Sequence, residues 1–208
     1  KVSGQAWGTL LQRRVFDPLG MATARVNHHA VVVPHRAQGY AWSGSLRNGE
    51  YVSPTQPYAA GALLVSVLDL VKWDESLTEG RLLSPASRAA MYAPAPVADG
   101  KTHPYGFGWD LSPYRTRPRH AHGGGIPGFS TYYARFVDDG ISVIVLANEG
   151  GGGAERLANG IAEFFIPALR EHAPKPIPDT RPDQTAFLKS VITTIASASS
   201  IASPARST

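Results

Sequence analysis

The residues best suited by type and spacing to do chemistry are His122, Gly123, Gly124 and Gly125, in the stretch RHAHGGGIPGFSTYYARF (119–136). An imidazole titrates near neutrality and moves protons there. Three glycines after it strip the side chains from the main chain at the threshold of a strand. Glycine weakens a strand through backbone entropy and lost packing, and marks a bulge or a close approach. Bare main chain presents amide and carbonyl groups to whatever lies against it. The plain structural reading is that a sheet edge packs closely and His122 is merely polar.

Other chemistries fit less of the chain. Gly150–Gly153, between an apolar run and a helical pattern, has the look of a phosphate cradle. The spacing G-x-G-x-x-G fails because position 155 is Glu, no Lys-Ser/Thr follows, and Glu149 and Glu155 repel a phosphate. This leaves a flexible strand-to-helix turn. A His-Gly-Gly-Gly oxyanion segment of the α/β-hydrolase kind requires a later G-x-S-x-G elbow, and none is present. With no cysteine, a disulfide framework, a thiolate nucleophile and a sulfur-based zinc site are excluded. The net charge is +4, but the basic residues are scattered apart from Arg115, Arg117 and Arg119, which read as a solvated loop. Nucleic-acid binding needs basic residues clustered with aromatics. No apolar run is long enough to span a bilayer and no leader pattern opens the chain. No metal or cofactor is implied.

The elements that must position these residues follow from pattern. The chain has 208 residues, 43% hydrophobic and 17% charged, a size that buries roughly 70% of its unfolded surface. KVSGQAWGTLLQRRVF reads as a helix with Ser3 as N-cap and Trp7, Leu10, Leu11 and Val15 on one face, stopped by Pro18 and Gly20. Residues 22–62 read as loops and short strands. Ser66 and Asp69 have capping-box spacing before a helix lined by Val67, Leu70, Val71 and Leu77 and ended by Gly80. Ser84 and Pro85 open a shorter helix. Both serines read as caps, not nucleophiles. YGFGWDL (105–111) reads as a strand, GFSTYYARF alternates, VDDG is a hairpin turn, and ISVIVLAN is a buried strand. AERLANGIAEFF reads as a helix packing through Leu157, Ile161 and Phe164 or Phe165. Thus 100–148 forms an antiparallel meander closed by a helix. APKPIPDTRPDQ lies in a proline-rich linker, before a helix bearing Leu188, Val191, Ile192 and Ile195 and a frayed end.

Over roughly residues 1–166 the chain resembles the serine β-lactamase and penicillin-binding-protein superfamily, especially its class C-like β-lactamases, esterases and D-alanyl peptidases. LLQRRVFDPLGM, PYAAGALLVSVLDLVKW, YGFGW, HGGGIPGFSTYYARF and ISVIVLANEG carry the likeness by their order and spacing. The resemblance implies an α+β fold with an antiparallel sheet flanked by helices, incomplete at the N-terminus, and a periplasmic or secreted location. It makes His122-Gly123-Gly124 the third active-site motif on the strand walling the pocket. His122 then polarises or holds the substrate, Gly123 and Gly124 let it approach, and the Gly125 amide joins the oxyanion hole. One such preorganised donor is worth about 3 kcal/mol in the transition state. An unperturbed imidazole is only about a quarter protonated at pH 7, so His in place of Lys favours esters or D-amino-acid peptides over lactams as substrates. Tyr132 and Tyr133 read as packing or rim residues.

The superfamily's nucleophile motif S-x-x-K and its partner Tyr-x-Asn are both absent from the 208 residues. In the superfamily both precede the helix that opens this chain. The expectation is therefore the C-terminal part of a longer serine hydrolase, with 1–172 belonging to the β-lactamase-like domain, 173–186 a linker and 187–208 a terminal helix and tail. Its partner would be the missing N-terminal part of the same domain. Losing the nucleophile costs on the order of 10⁶ in turnover, so the chain alone is expected to be inactive. The meander should then show an unpaired edge and an exposed apolar face, with 22–62 and 81–104 on the helical side of the cleft. The rival is a non-catalytic ligand-binding relative that lost the nucleophile.

Overall fold

The computed structural model describes residues 2–170 and 180–201, in two units that divide after Arg170. The first helix, α1 (Trp7–Leu11), runs through a π-helical segment (Gln12–Phe16) into α2 (Asp17–Leu19). Its N-cap is Ala6 with no side-chain bond, not Ser3. Pro18 lies within the continuous helix and does not stop it. Gly20 ends it in the left-handed conformation. Phe16, Leu19, Met21 and Ala24 form a small core beneath it.

Residues 25–64 hold β1 (Arg25–Val26), β2 (Tyr40–Trp42), β3 (Leu46–Asn48) and β4 (Leu63–Leu64), with β1 antiparallel to β4 and β2 to β3. Apart from one 3₁₀ turn at Tyr58–Ala60, the segment is loops and short strands, as its pattern predicts. The long helix α3 (Val67–Glu79) is capped by Ser66, whose hydroxyl accepts from the Asp69 amide, and ends at left-handed Gly80. The Asp69 carboxylate does not complete a capping box. It accepts from the Thr23 amide and hydroxyl, the Ala24 amide and Lys72, and so ties α3 to the end of α2. The buried line of α3 is Asp69, Ser76 and Leu77, whereas Val67 and Val71 are exposed.

α4 (Pro85–Met91) starts on Ser84 and Pro85 as the pattern predicts. β5 (Ala95–Pro96) pairs with β6 (Thr102–His103). The principal sheet is β7 (His120–Ile126), β8 (Phe129–Phe136) and β9 (Ile141–Ala147), antiparallel in the order β7-β8-β9. Alternating burial along β8 and the Val137–Gly140 turn agree with the sequence pattern. Gly128 turns β7 into β8 with φ +86, and a Cβ there would lie 2.8 Å from the Gly39 Cα.

α5 (Ala154–Phe165) covers one face of this sheet, and of the residues the helical pattern selects only Ile161, partly buried, packs against it. Ala154, Ala158 and Ala162 pack against Ala121, Tyr132, Ala134, Phe136, Val143 and Val145. Leu157, Phe164 and Phe165 face outward, 55–72% exposed. The small side chains let the helix lie close on a sheet already filled by Tyr132 and Phe136. α6 (Pro182–Ile201) forms its own unit and begins inside the stretch expected to be linker. Phe187, Leu188 and Val191 on it are exposed. Residues 173–179 of the expected linker, the tail beyond 201 and the side chains of Ile192 and Ile195 lie outside the described residues.

Candidate active site

β7 is an edge strand, and residue parity decides what each position faces. Its register sets His122 opposite Tyr133, Gly123 opposite Tyr132, Gly124 opposite Thr131 and Gly125 opposite Ser130. Ala121 and Gly123 share the face covered by α5. His122 shares the opposite face with Tyr133 and Arg135, whose side chains reach α3.

Hydrogen-bond direction alternates in the same way along an antiparallel strand. Asp110 N donates to the Ala121 carbonyl (2.8 Å) and Ala121 N to the Asp110 carbonyl (2.9 Å). Ala121 therefore turns its main-chain groups away from β8, and Gly123 and Gly125 have the same parity. Among the described residues neither glycine amide has a backbone acceptor outside the strand ladder. His122 and all three glycines are exposed.

Beside this edge lies a cavity of about 380 Å³. His122, Gly123 and Gly124 line it, together with residues the sequence pattern did not single out for it: Tyr105, Asp110 and Glu155 among them. Gly125 follows along the strand and is not part of that lining. Tyr132 does line it and donates to Glu155 (3.1 Å). Burial, with Glu155 beside it and Arg119 opposing, pushes the Tyr132 hydroxyl up to about 12. Tyr133 has a different part. It donates to Asp74 and packs edge-on against Trp109, and burial and that carboxylate raise its hydroxyl.

Residues 105–111 make a turn, not the expected strand. Gly106 N donates to the Trp109 carbonyl (2.8 Å), and Phe107 N to the Met91 carbonyl (2.9 Å). A Cβ at Gly106 would lie 2.2 Å from that carbonyl, so only glycine lets the turn seat on the end of α4. The YGFGW spacing was the available signal for Tyr105. What hid the turn is that it is made by contact with Met91, fifteen positions away.

The basic stretch before β7 is not a solvated loop. Arg115 pairs with Glu163 (2.9 Å) and Arg117 with Asp139 (3.0 Å). Arg119 is buried behind the cavity, 3.9 Å from Asp110 and 3.7 Å from Glu155, with its guanidinium over the Tyr114 and Tyr132 rings. Burial alone would raise the Asp110 carboxyl, but bonds from Ser112 and the charges of Arg119 and His103 hold it below the usual carboxylate range. His120, stacked on Tyr92 at 4.0 Å, is pushed down by burial and by Arg135. The cavity thus combines an imidazole, outward-turned main chain and two carboxylates restrained by one buried guanidinium.

The family model described as Beta-lactamase matches residues 1–166. Penicillin-binding protein 4* of Bacillus subtilis (strain 168) is 30% identical over 164 residues, covering 72% of this chain and 36% of that protein. The D-aminopeptidase of Gluconobacter oxydans (strain 621H) is 26% identical over 148 residues, covering 70% and 28%. The octameric penicillin-binding protein homologue from Pyrococcus abyssi superposes with a TM-score of 0.69 at 24% identity, covering 80% of this chain and 39% of that one. The chain spans about a third of the length of the curated relatives it matches. The matched span coincides with the stretch over which the sequence resembles the superfamily. The chain belongs to the beta-lactamase family, within the penicillin-binding-protein-like superfamily of serine hydrolases.

Proposed function

We infer that β7 is the substrate-facing wall of an acyl-transfer site, and that the serine which attacks, with its lysine, resides on polypeptide outside these 208 residues. The observation that carries this reading is the bare edge at Gly123–Gly125, with amides of outward parity beside His122 and a cavity. An acyl group lying along that edge meets main chain only. The Gly125 amide donates to the oxygen that becomes negative as the tetrahedral intermediate forms, and His122 polarises or holds the substrate. Preorganised donors act where charge develops, so they stabilise the transition state more than the bound substrate.

The substrate class follows from charge and kinship. Imidazole is a weaker fixed cation than lysine, which suits an ester or a D-amino-acid amide or peptide better than a ligand anchored by a carboxylate. Similarity to a D-aminopeptidase supports the same class. The chain itself lacks S-x-x-K and Tyr-x-Asn, so it is not expected to form an acyl-enzyme alone. The test is labelling by a fluorophosphonate or penicillin probe of the full product of the reading frame that encodes this chain. One labelled serine in an S-x-x-K sequence is expected outside residues 1–208. A full product that resists every serine probe yet binds substrate would establish the non-catalytic relative instead.

A further inference from the structure

The Tyr105 hydroxyl lies 2.8 Å from His122 Nε2, within hydrogen-bond distance. Its ring stands edge-on to the imidazole, with centroids 6.0 Å apart and planes at 66°. On the other side it stacks with His103 at 6.3 Å. Its main chain is fixed at both ends: Tyr105 N donates to the His103 carbonyl (2.7 Å), and Ala95 N donates to the Tyr105 carbonyl (3.0 Å). The same turn is clamped to β7 through the Asp110–Ala121 pair, at the residue before His122. Phenol and imidazole therefore meet because one braced stretch of backbone carries them together, not because two exposed rotamers happen to touch.

A phenolic O–H has a proton to give, and a neutral imidazole nitrogen has a lone pair to receive it. The hydrogen bond made by one ring nitrogen sets which nitrogen keeps the ring proton. We propose that Tyr105 is a positioning residue for His122: its hydroxyl donates to Nε2, holds the neutral imidazole in the Nδ1–H form, and leaves Nδ1–H as the group offered to substrate. This rests on the acyl-transfer reading of the site and deepens it. His122 then works as an uncharged donor to an ester or amide oxygen, and the site disfavours ligands that need a permanent cation there.

The test is nitrogen-15 NMR of the histidine-labelled 208-residue chain at alkaline pH. The His122 signals are identified by their loss in His122→Gln. The wild-type chain is expected to show the Nδ1–H pattern. Tyr105→Phe, which keeps the ring and its stacking, is expected to shift it to Nε2–H, with the backbone signals of β8 and β9 unmoved. Gly106→Ala gives a second route, since its Cβ drives the turn off the Met91 carbonyl while the phenol remains; the same shift is expected. An Nε2–H wild type, or a tautomer ratio that ignores Tyr105→Phe, overturns the proposal. No substrate enters this measurement, so its outcome is separate from that of the acyl-transfer reading, which the probe labelling decides.

Discussion

Gly123, Gly124 and Gly125 are not interchangeable. A Cβ at Gly125 would come no closer than 4.0 Å to the Phe129 carbonyl, whereas one at Gly124 would lie 2.8 Å from Thr131 Oγ1. Gly125→Ala therefore puts a methyl into open space, and is expected to leave stability unchanged or raise it by about 0.5–1 kcal/mol through the unfolded chain. Gly124→Ala must turn Thr131 away from its contact with the Gly124 carbonyl (3.4 Å), and is expected to cost about 1–3 kcal/mol. Urea unfolding of the two variants reads the difference, and equal stabilities would contradict the spacing along β7. Tyr132 carries a pH dependence of definite sign. The fold favours its neutral phenol, with ionisation pushed up to about 12, while an unfolded tyrosine ionises near pH 10. Its stabilisation is complete below about pH 10 and is lost as pH rises through the folded value. Stability measured between these limits should fall less steeply in Tyr132→Phe than in the wild type; parallel curves would rule out this linkage.

At the scale of elements, α3 is joined to the sheet chiefly through the Asp74 carboxylate. Asp74 accepts from the Tyr133 hydroxyl, Arg135 Nε (2.7 Å) and Ser142 Oγ (2.8 Å). Arg135 also donates to Tyr92 (3.0 Å) and Thr78 (2.7 Å). Removing the carboxylate strands a buried guanidinium, so Asp74→Ala is expected to cost about 3–5 kcal/mol, read by denaturant unfolding; a loss under about 1 kcal/mol would place the pair among surface salt bridges. Nothing local announces this hub, because its members lie about sixty positions apart. What was legible is what neighbours in sequence decide. The alternation of 129–136, the VDDG turn and the serine caps of α3 and α4 all depend on residues within a few positions. The His-Gly-Gly-Gly edge was legible as well, since glycines inside a strand demand a reason. The buried face of α5 was legible only at Ile161, because hydrophobic periodicity also selects Leu157 and Phe164 or Phe165 while close packing on Tyr132 and Phe136 selects alanines. Tyr105 was hidden for the same reason, its turn being made by contact with α4.

For the molecule as a whole, the faces left open matter as much as the core. The outer edge of β9 pairs with no other described strand. Val145, Ala147, Leu157, Ile161 and Phe164 border a groove of about 690 Å³ beside it, and Val67, Leu68 and Val71 form a second apolar strip on α3. An unpaired edge beside apolar surface is a template for another strand and its cover. The same account places the nucleophile on polypeptide that completes this sheet. The most direct measurement is hydrolysis of a nitrophenyl ester by the purified 208-residue chain, alone and co-expressed with the polypeptide encoded ahead of it in the same frame. The account predicts no turnover by the chain alone, turnover when the two are together, and its loss in His122→Ala. Turnover by the chain alone that disappears in His122→Ala would contradict it.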